Sequence, residues 1–151
     1  MKAKNKHLFL QQLESIIQDE KNVIANLANT SAFLNEILSD INWVGFYLLE
    51  NDELVLGPFQ GKEACVRIPL NKGVCGTAAY NQKTIRVDNV HEFPGHIACD
   101  ALSCSEIVVP MMKNNQLIGV LDIDSPSYSR FSLEDQEFLE EVVSLLIKYV
   151  V

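Results

Sequence analysis

The sequence has no apolar run that could span a bilayer, since a membrane-crossing helix needs about 20 consecutive apolar residues. It also has no secretory signal, because the opening MKAKNKHLFLQQLESIIQDE places glutamine and acidic residues directly after its few apolar ones. Internal repeats and low-complexity tracts are absent as well. We therefore expect a cytoplasmic protein with no membrane partner.

Positive charge is scarce in this chain. Twelve Lys and Arg residues stand against 20 Asp and Glu residues, which gives a formal net charge of −8 and a pI near 4.8. Phosphate groups and anionic lipid surfaces repel such a protein. This balance argues against a nucleic-acid partner.

The spacing typical of a structural zinc site is also missing. The four cysteines, Cys65, Cys75, Cys99 and Cys104, form no C-x2-C pair, and the three histidines show no paired ligand spacing. We expect no metal site. In a reducing compartment these cysteines should be thiols at rest rather than a disulfide framework.

The length of 151 residues suits one domain over 1–151, with N-terminal helices over about 6–40 and a sheet, loops and closing helix over about 42–151. Apolar periodicity predicts helix from 7 to about 41, with a break near 29–31. A capping box, Ser132 to Asp135, predicts the start of the closing helix. Strands are predicted over 43–50, 53–56 (ended by Gly57-Pro58), 66–70, 84–87, 107–112 and 117–124, a helix over 73–81, and a long loop over 88–103. This order implies an α+β fold with a mostly antiparallel sheet layered with helices.

The cysteines differ in their surroundings. Cys75 lies at the start of the predicted 73–81 helix, where the helix dipole favours a thiolate. Cys65 lies between Lys62 and Arg67, which also favours a thiolate, and Cys99 lies in the long loop near His96. Chemistry that ends in a disulfide needs two such thiols to meet, and spacing alone does not show that they do. The alternative is that they are small buried hydrophobes, which we retain for Cys104.

Asp122 and Asp124 are two residues apart on a predicted strand, so both side chains should point to one face. Glu106 begins the neighbouring strand. Crowded carboxylates repel one another, so at least one should have a raised pKa and hold a proton near neutrality. Such a cluster can bind an ammonium group or act as an acid. The alternatives are a solvated sheet edge, or Asp124 capping the following turn.

Trp43 and Tyr47 share one face of the first predicted strand, since they are four residues apart. Ordinary core packing is the usual role of strand aromatics. The functional alternative is an aromatic wall for a small apolar group such as a thioether methyl.

The order of elements resembles the GAF domain, in which terminal helices cover one face of the sheet and a loop-covered ligand pocket lies on the other. Over nearly the whole chain after about residue 40, the motifs further resemble the free methionine-(R)-sulfoxide reductases, a catalytic branch of that fold. These motifs are WVGFY (43–47), GPFQGKEAC (57–65), GVCGT (73–77), HEFPGHIACD (91–100), SEIV (105–108) and GVLDIDSP (119–126).

The resemblance implies roles for individual residues. Cys99 would be the nucleophile, Cys65 the resolving thiol and Cys75 an auxiliary thiol. The acids that bind the substrate would be Glu106, Asp122 and Asp124, with Glu106 or an aspartate donating the proton, and the aromatic wall would be Trp43 and Tyr47. Cys104 departs from the family pattern, which has asparagine in this stretch, and could permit an off-pathway disulfide.

The expected reaction is reduction of free methionine-(R)-sulfoxide, with thioredoxin as the reductant and no cofactor. Two other functions stay open: a GAF sensor that binds a small ligand without turnover, and a thiol peroxidase or redox switch. The acidic, aromatic pocket favours a zwitterionic amino acid over peroxide. A homodimer is compatible with the sequence, but no residue pattern specifies one.

Overall fold

The computed structural model describes residues 3–96 and 101–150. Within them, six antiparallel strands form one sheet in the order β3-β2-β1-β6-β5-β4. The strands are β1 Trp43–Glu50, β2 Glu53–Gly61, β3 Arg67–Pro69, β4 Ile85–Val87, β5 Ser105–Lys113 and β6 Gln116–Ser125. The helices are α1 Ala3–Ile17, α2 Val23–Ile37, α3 Gly73–Asn81 and α4 Leu133–Tyr149, with a 3₁₀ turn at Val90–Glu92.

Helices cover both faces of this sheet. On one face Phe46 and Ile123 pack with apolar residues of α1, α2 and α4 in the larger hydrophobic core. On the other face Tyr47 and Val120 pack with α3 in a smaller core. Alternate residues of β1 and β6 thus serve opposite layers, as the two-residue period of a strand requires. The predicted α+β fold, with its terminal helices on one face, is confirmed.

The predicted helix break near residues 29–31 is wrong, and the interruption lies between Ile17 and Val23. Thr30 and Ser31 remain helical because their hydroxyls donate to the carbonyls four residues earlier, at 2.7 and 2.8 Å. The side chain of Asn22 instead accepts from the Ala25 N–H and caps α2. Polar residues that suggested a break therefore bond inside the helix.

The predicted end of β2 at Gly57-Pro58 is also wrong, because the strand continues to Gly61. The register with β1 shifts there: Gly45 pairs with Phe59, whereas Tyr47 pairs with Leu56. Such a bulge accommodates a proline, which has no N–H to donate to the ladder. The continuation brings Phe59 next to β1.

Other local predictions are confirmed. Helix α3 has the predicted bounds, and the β5–β6 hairpin turns through Asn114 and Asn115, which have φ values of 53° and 63°. Ser132 and Asp135 form the reciprocal capping box of α4. None of the helices among the described residues has the length and apolar character needed to cross a membrane.

Candidate active site

The candidate site lies between the α3 face of the sheet and α3 itself. Strands β1, β5 and β6 contribute Trp43, Tyr47, Glu106, Asp122 and Asp124 to its walls, and α3 contributes Cys75. All the sequence-predicted site residues that the structure describes therefore line this pocket or, for Cys65, directly follow a lining residue, Ala64. Cys99 lies outside the described residues.

Strand register brings the three acids together. Glu106 of β5 is the partner of Asp124 of β6, and Asp122 is the partner of Val108. Asp122 and Glu106 are buried, with 5% and 7% of their surfaces exposed. The predicted common face for Asp122 and Asp124 is confirmed, since both line the pocket. A solvated sheet edge does not fit acids this deeply buried.

Burial and mutual repulsion set the protonation of this cluster. Burial first, then the charges of Asp122 and Asp124, raise the pKa of Glu106 well above its ordinary value. Burial also raises the pKa of Asp122, while hydrogen bonds from Glu106 and Cys75 oppose that rise. Glu106 is therefore the carboxyl that holds a proton, as expected for a crowded cluster. Oδ1 of Asp122 is buried and accepts no hydrogen bond from the described residues.

The thiolate predicted for Cys75 is wrong. Cys75 is 5% exposed, and its Sγ lies 3.8 Å from Oε2 of Glu106. Burial first, then the negative charges of Asp122 and Glu106, raise the pKa of this thiol well above 9.0. Desolvation and neighbouring carboxylates thus outweigh the helix dipole. Cys75 is a protonated thiol at neutral pH.

The first turn of α3 lines the pocket beside the acids. Lys72, Gly73 and Val74 line it together with Cys75. The N-cap residue, Lys72, makes no side-chain capping bond to the helix, and Gly73 takes a φ of +64° that favours glycine. The first N–H groups of a helix have no partner within it, and they attract anions. One pocket is therefore lined both by a helix N-terminus and by buried acids.

Three aromatic rings stack along the wall formed by β1 and β2. The ring of Trp43 lies 5.9 Å from Tyr47 and 5.1 Å from Phe59, with interplanar angles of 25° and 15°. A Cβ at Gly45 would lie 2.3 Å from Cβ of Phe59, and one at Gly61 would lie 2.6 Å from Cδ1 of Trp43. The two glycines therefore make room for the stack. Sequence reasoning missed Phe59, because β2 was expected to end before it.

Trp43 and Tyr47 also donate hydrogen bonds to the segment 62–65, which follows β2. Nε1 of Trp43 donates to the carbonyl of Lys62 at 3.1 Å. The Tyr47 hydroxyl donates to the carbonyl of Cys65 at 2.8 Å. Burial first, then the charge of Asp122, raises the pKa of Tyr47, so its hydroxyl stays protonated and donates.

The cysteines fall into two groups. Cys65 is disulfide-bonded, whereas Cys75 and Cys104 carry free thiols. Cys104 is half-buried, and its Sγ lies 3.8 Å from the Leu102 carbonyl. The expectation that the cysteines rest as thiols in a reducing compartment stays a prediction.

Further polar residues of the pocket were missed as ligand-binding candidates. They are Glu63, Lys72, His96 and Ser103. Partial burial first, then the charge of His91, lowers the pKa of His96, so a neutral imidazole faces the pocket. Their positions beside the motifs GKEAC, GVCGT and HIACD were the available signal.

One group in the pocket has donor atoms suited to a metal ion. Ligand atoms of Cys75, Glu106 and Asp122 all lie within 4.8 Å of one another. Pairing of β5 with β6 brings the two acids together, and packing of α3 against these strands adds Cys75, which linear spacing could not reveal. A cation there would have to displace the protons held by Cys75 and Glu106. The donor set therefore suits an ammonium group, which leaves both protons in place.

An antiparallel sheet with terminal helices on one face and a ligand pocket on the other defines a GAF domain. The model of the GAF domain family matches residues 27–146 of this chain.

Relatives within that class are more specific. "Free methionine-R-sulfoxide reductase" of Escherichia coli is 56% identical over 138 residues, which cover 91% of this chain and 84% of that protein. The yeast (Saccharomyces cerevisiae) protein of the same name is 44% identical, over 95% of this chain and 87% of its own length. The substrate complex of fRMsr from Staphylococcus aureus is 56% identical, with a TM-score of 0.91 over 95% of this chain and 94% of that one. The chain belongs to the free methionine-R-sulfoxide reductase family.

Proposed function

We propose that this protein reduces free methionine-(R)-sulfoxide to methionine. The Escherichia coli relative, 56% identical over 138 residues, carries that activity in its name. The free methionine-R-sulfoxide reductase of Neisseria meningitidis, 46% identical over 98% of this chain, has been solved with its substrate. Similarity over nearly the whole chain supports the same substrate here.

The observation that carries the proposal is that buried acids and the N-terminus of α3 line the same pocket. Buried acids Glu106, Asp122 and Asp124 suit an ammonium group, and Oδ1 of Asp122 offers it an acceptor. The N-terminus of α3 suits a carboxylate. A free amino acid has both charges, whereas a methionine within a peptide has neither. The rings of Trp43 and Tyr47 would pack against the methyl group.

The chemical step would combine Cys99 and Glu106. The Cys99 thiolate attacks the sulfoxide sulfur while the protonated carboxyl of Glu106 donates to the oxygen. Methionine leaves with its sulfur reduced, and Cys99 becomes a sulfenic acid that carries the oxygen. The raised pKa of Glu106 supports its role as the acid.

Recycling would proceed through Cys65. Its thiol condenses with the sulfenic acid of Cys99, releasing water and forming a disulfide. An external dithiol, which we propose is thioredoxin, then reduces the pair, and Cys75 assists as an auxiliary thiol. The disulfide bond at Cys65 and the free thiols at Cys75 and Cys104 support this assignment. Every step proceeds with side chains and thiols, so no cofactor is needed.

The decisive experiment follows NADPH consumption with thioredoxin and thioredoxin reductase. The substrates are free methionine-R-sulfoxide, its S epimer and a peptide-bound R-sulfoxide. Turnover of the free R epimer alone, abolished by Cys99→Ser and retained by the matched control Cys104→Ser, is expected. Failure of the folded, reduced protein to turn over any sulfoxide would contradict the proposal and favour a ligand-binding GAF sensor. Consumption of hydrogen peroxide alone would favour the thiol peroxidase.

A further inference from the structure

The segment that carries Cys65 crosses from one strand to another. Residues 62–66 join the end of β2 at Gly61 to the start of β3 at Arg67. Lys62 and Glu63 are exposed, and Cys65 is half-buried. The carbonyl of Val66 accepts from the Leu56 N–H at 2.9 Å, which ties the end of the segment to β2, and the position of Cys65 depends also on what holds residues 62–65.

Two buried side chains of β1 bond to this segment. Nε1 of Trp43 reaches the carbonyl of Lys62, and the hydroxyl of Tyr47 reaches the carbonyl of Cys65. Both rings are 2% exposed, and the stack with Phe59 restricts their movement. The donors are therefore fixed to the central sheet, and the acceptors are backbone atoms. Hydrogen bonds to backbone carbonyls fix the path of the chain independently of its side-chain conformations.

We propose that Trp43 and Tyr47 are positioning residues that hold the backbone of 62–65 so that the Cys65 thiol meets its sulfur partner. The proposal rests on the proposed function for the identity of that partner, Cys99. It assigns the two aromatics a role in recycling beyond the wall that they form for substrate. Because the same rings line the pocket, substrate packing and the position of Cys65 are coupled.

The step concerned is the closure of the disulfide. The Cys65 sulfur attacks the sulfenic sulfur, a sulfur–sulfur bond forms, the sulfur–oxygen bond breaks, and the proton leaves with the oxygen as water. A thiol held near its partner reacts faster than one that must be found by motion of its loop. Loss of either anchor should therefore slow closure and leave the sulfenic acid exposed for longer.

Tyr47→Phe and Trp43→Phe test this inference because each keeps an aromatic ring and removes one donor. Tyr80→Phe, on exposed α3 surface, removes a hydroxyl away from the pocket and is the matched control. The first readout equilibrates each protein with glutathione and its disulfide, then counts free thiols by alkylation and mass. The effective concentration of the protein dithiol should fall about tenfold in either variant, the factor that one ordinary hydrogen bond represents. It should not change in Tyr80→Phe.

The second readout traps sulfenic acid with dimedone after one equivalent of sulfoxide. The trapped fraction should rise severalfold in Tyr47→Phe relative to wild type. Thermal unfolding of every variant identifies any that fails to fold, and the two anchors provide independent tests. Equal effective concentrations in wild type and both folded variants would overturn the inference. A fall in the glutathione assay without any sulfoxide turnover would support the positioning role and contradict the reductase function.

Discussion

The Sγ atom of Cys75 lies 3.8 Å from Oε2 of Glu106, so a thiol and a carboxyl share one buried corner of the pocket. Each raises the proton affinity of its surroundings, because neither can ionise there without repelling Asp122. Both groups consequently hold their protons, and Cys75 is not a nucleophilic thiolate.

Cys75 should react with iodoacetamide far more slowly than Cys104. The thiolate is the reactive form, and burial together with two acids suppresses it at Cys75. Alkylation of the native protein at pH 7.5, followed by peptide mass spectrometry, should label Cys104 well before Cys75. Unfolding in guanidinium is the control, and it should bring the rates together. Faster labelling of Cys75 in the native protein would contradict the assigned protonation.

Glu106→Gln should lower kcat for free methionine-R-sulfoxide by a factor of about 10² to 10⁴, the usual contribution of a general acid. Glutamine keeps the shape but carries no acidic proton. In wild type the protonated form is the active one, so this group should lower kcat as pH rises through its raised pKa. The coupled NADPH assay over a pH series measures both effects. The exposed Glu137→Gln is the control, and an unchanged alkaline limb in Glu106→Gln would assign it to another group.

The same substitution should stabilise the fold. The pKa of Glu106 is higher in the folded protein than its ordinary value of 4.5, so the folded state binds more protons above that value. Its contribution to stability is therefore present below about pH 4.5 and is lost as pH rises through the folded pKa. Replacing it with glutamine should raise the free energy of unfolding at pH 7 by about 1 to 2 kcal/mol.

Urea denaturation at pH 4 and pH 7 measures this effect. The advantage of Glu106→Gln over wild type should be larger at pH 7 than at pH 4, whereas Glu137→Gln should show no such difference. An advantage that grows towards acid would reverse the sign and refute the buried-acid description.

Gly45→Ala should destabilise the protein by about 1 to 3 kcal/mol, the usual cost of overpacking. The added Cβ would meet Phe59 at 2.3 Å from Cβ and 2.8 Å from the backbone Cα. Backbone cannot move aside as a flexible side chain can, so the ring stack must shift. Gly57→Ala is the matched control in the neighbouring strand, where the nearest atom lies at 3.1 Å. Equal urea midpoints for the two variants would contradict this account.

The sequence predicted well those features that depend on short-range pattern. The bounds of α3, the Asn114-Asn115 turn and the Ser132 capping box follow from local chemistry within a few residues. The common face of Asp122 and Asp124 follows from the period of a strand. The motifs spread along the chain predict the family, which its relatives and the matching family model confirm.

Features that depend on tertiary contact could not be predicted. The prediction of a thiolate at Cys75 took account only of the dipole of its own helix. The charges that oppose a thiolate belong to Glu106 and Asp122, which lie on strands distant in sequence. Phe59 entered the stack because a bulge carries β2 past Pro58, which local rules treat as a terminator. The roles of Cys99, Cys65 and Cys75, the thioredoxin partner, the cytoplasmic location and a homodimer stay predictions.

The position of β6 has a consequence for how the chain folds. It lies between β1 and β5, with Asp122 facing the pocket and Ile123 facing the helices. A slip of one residue in its pairing would exchange these faces, forcing carboxylates into the apolar layer and Ile123 into the pocket. That misfolded form would be strongly disfavoured, so a chain that completes its core has also assembled its acids correctly. The pairing of this one strand thus sets both the apolar core and the acid cluster of the pocket.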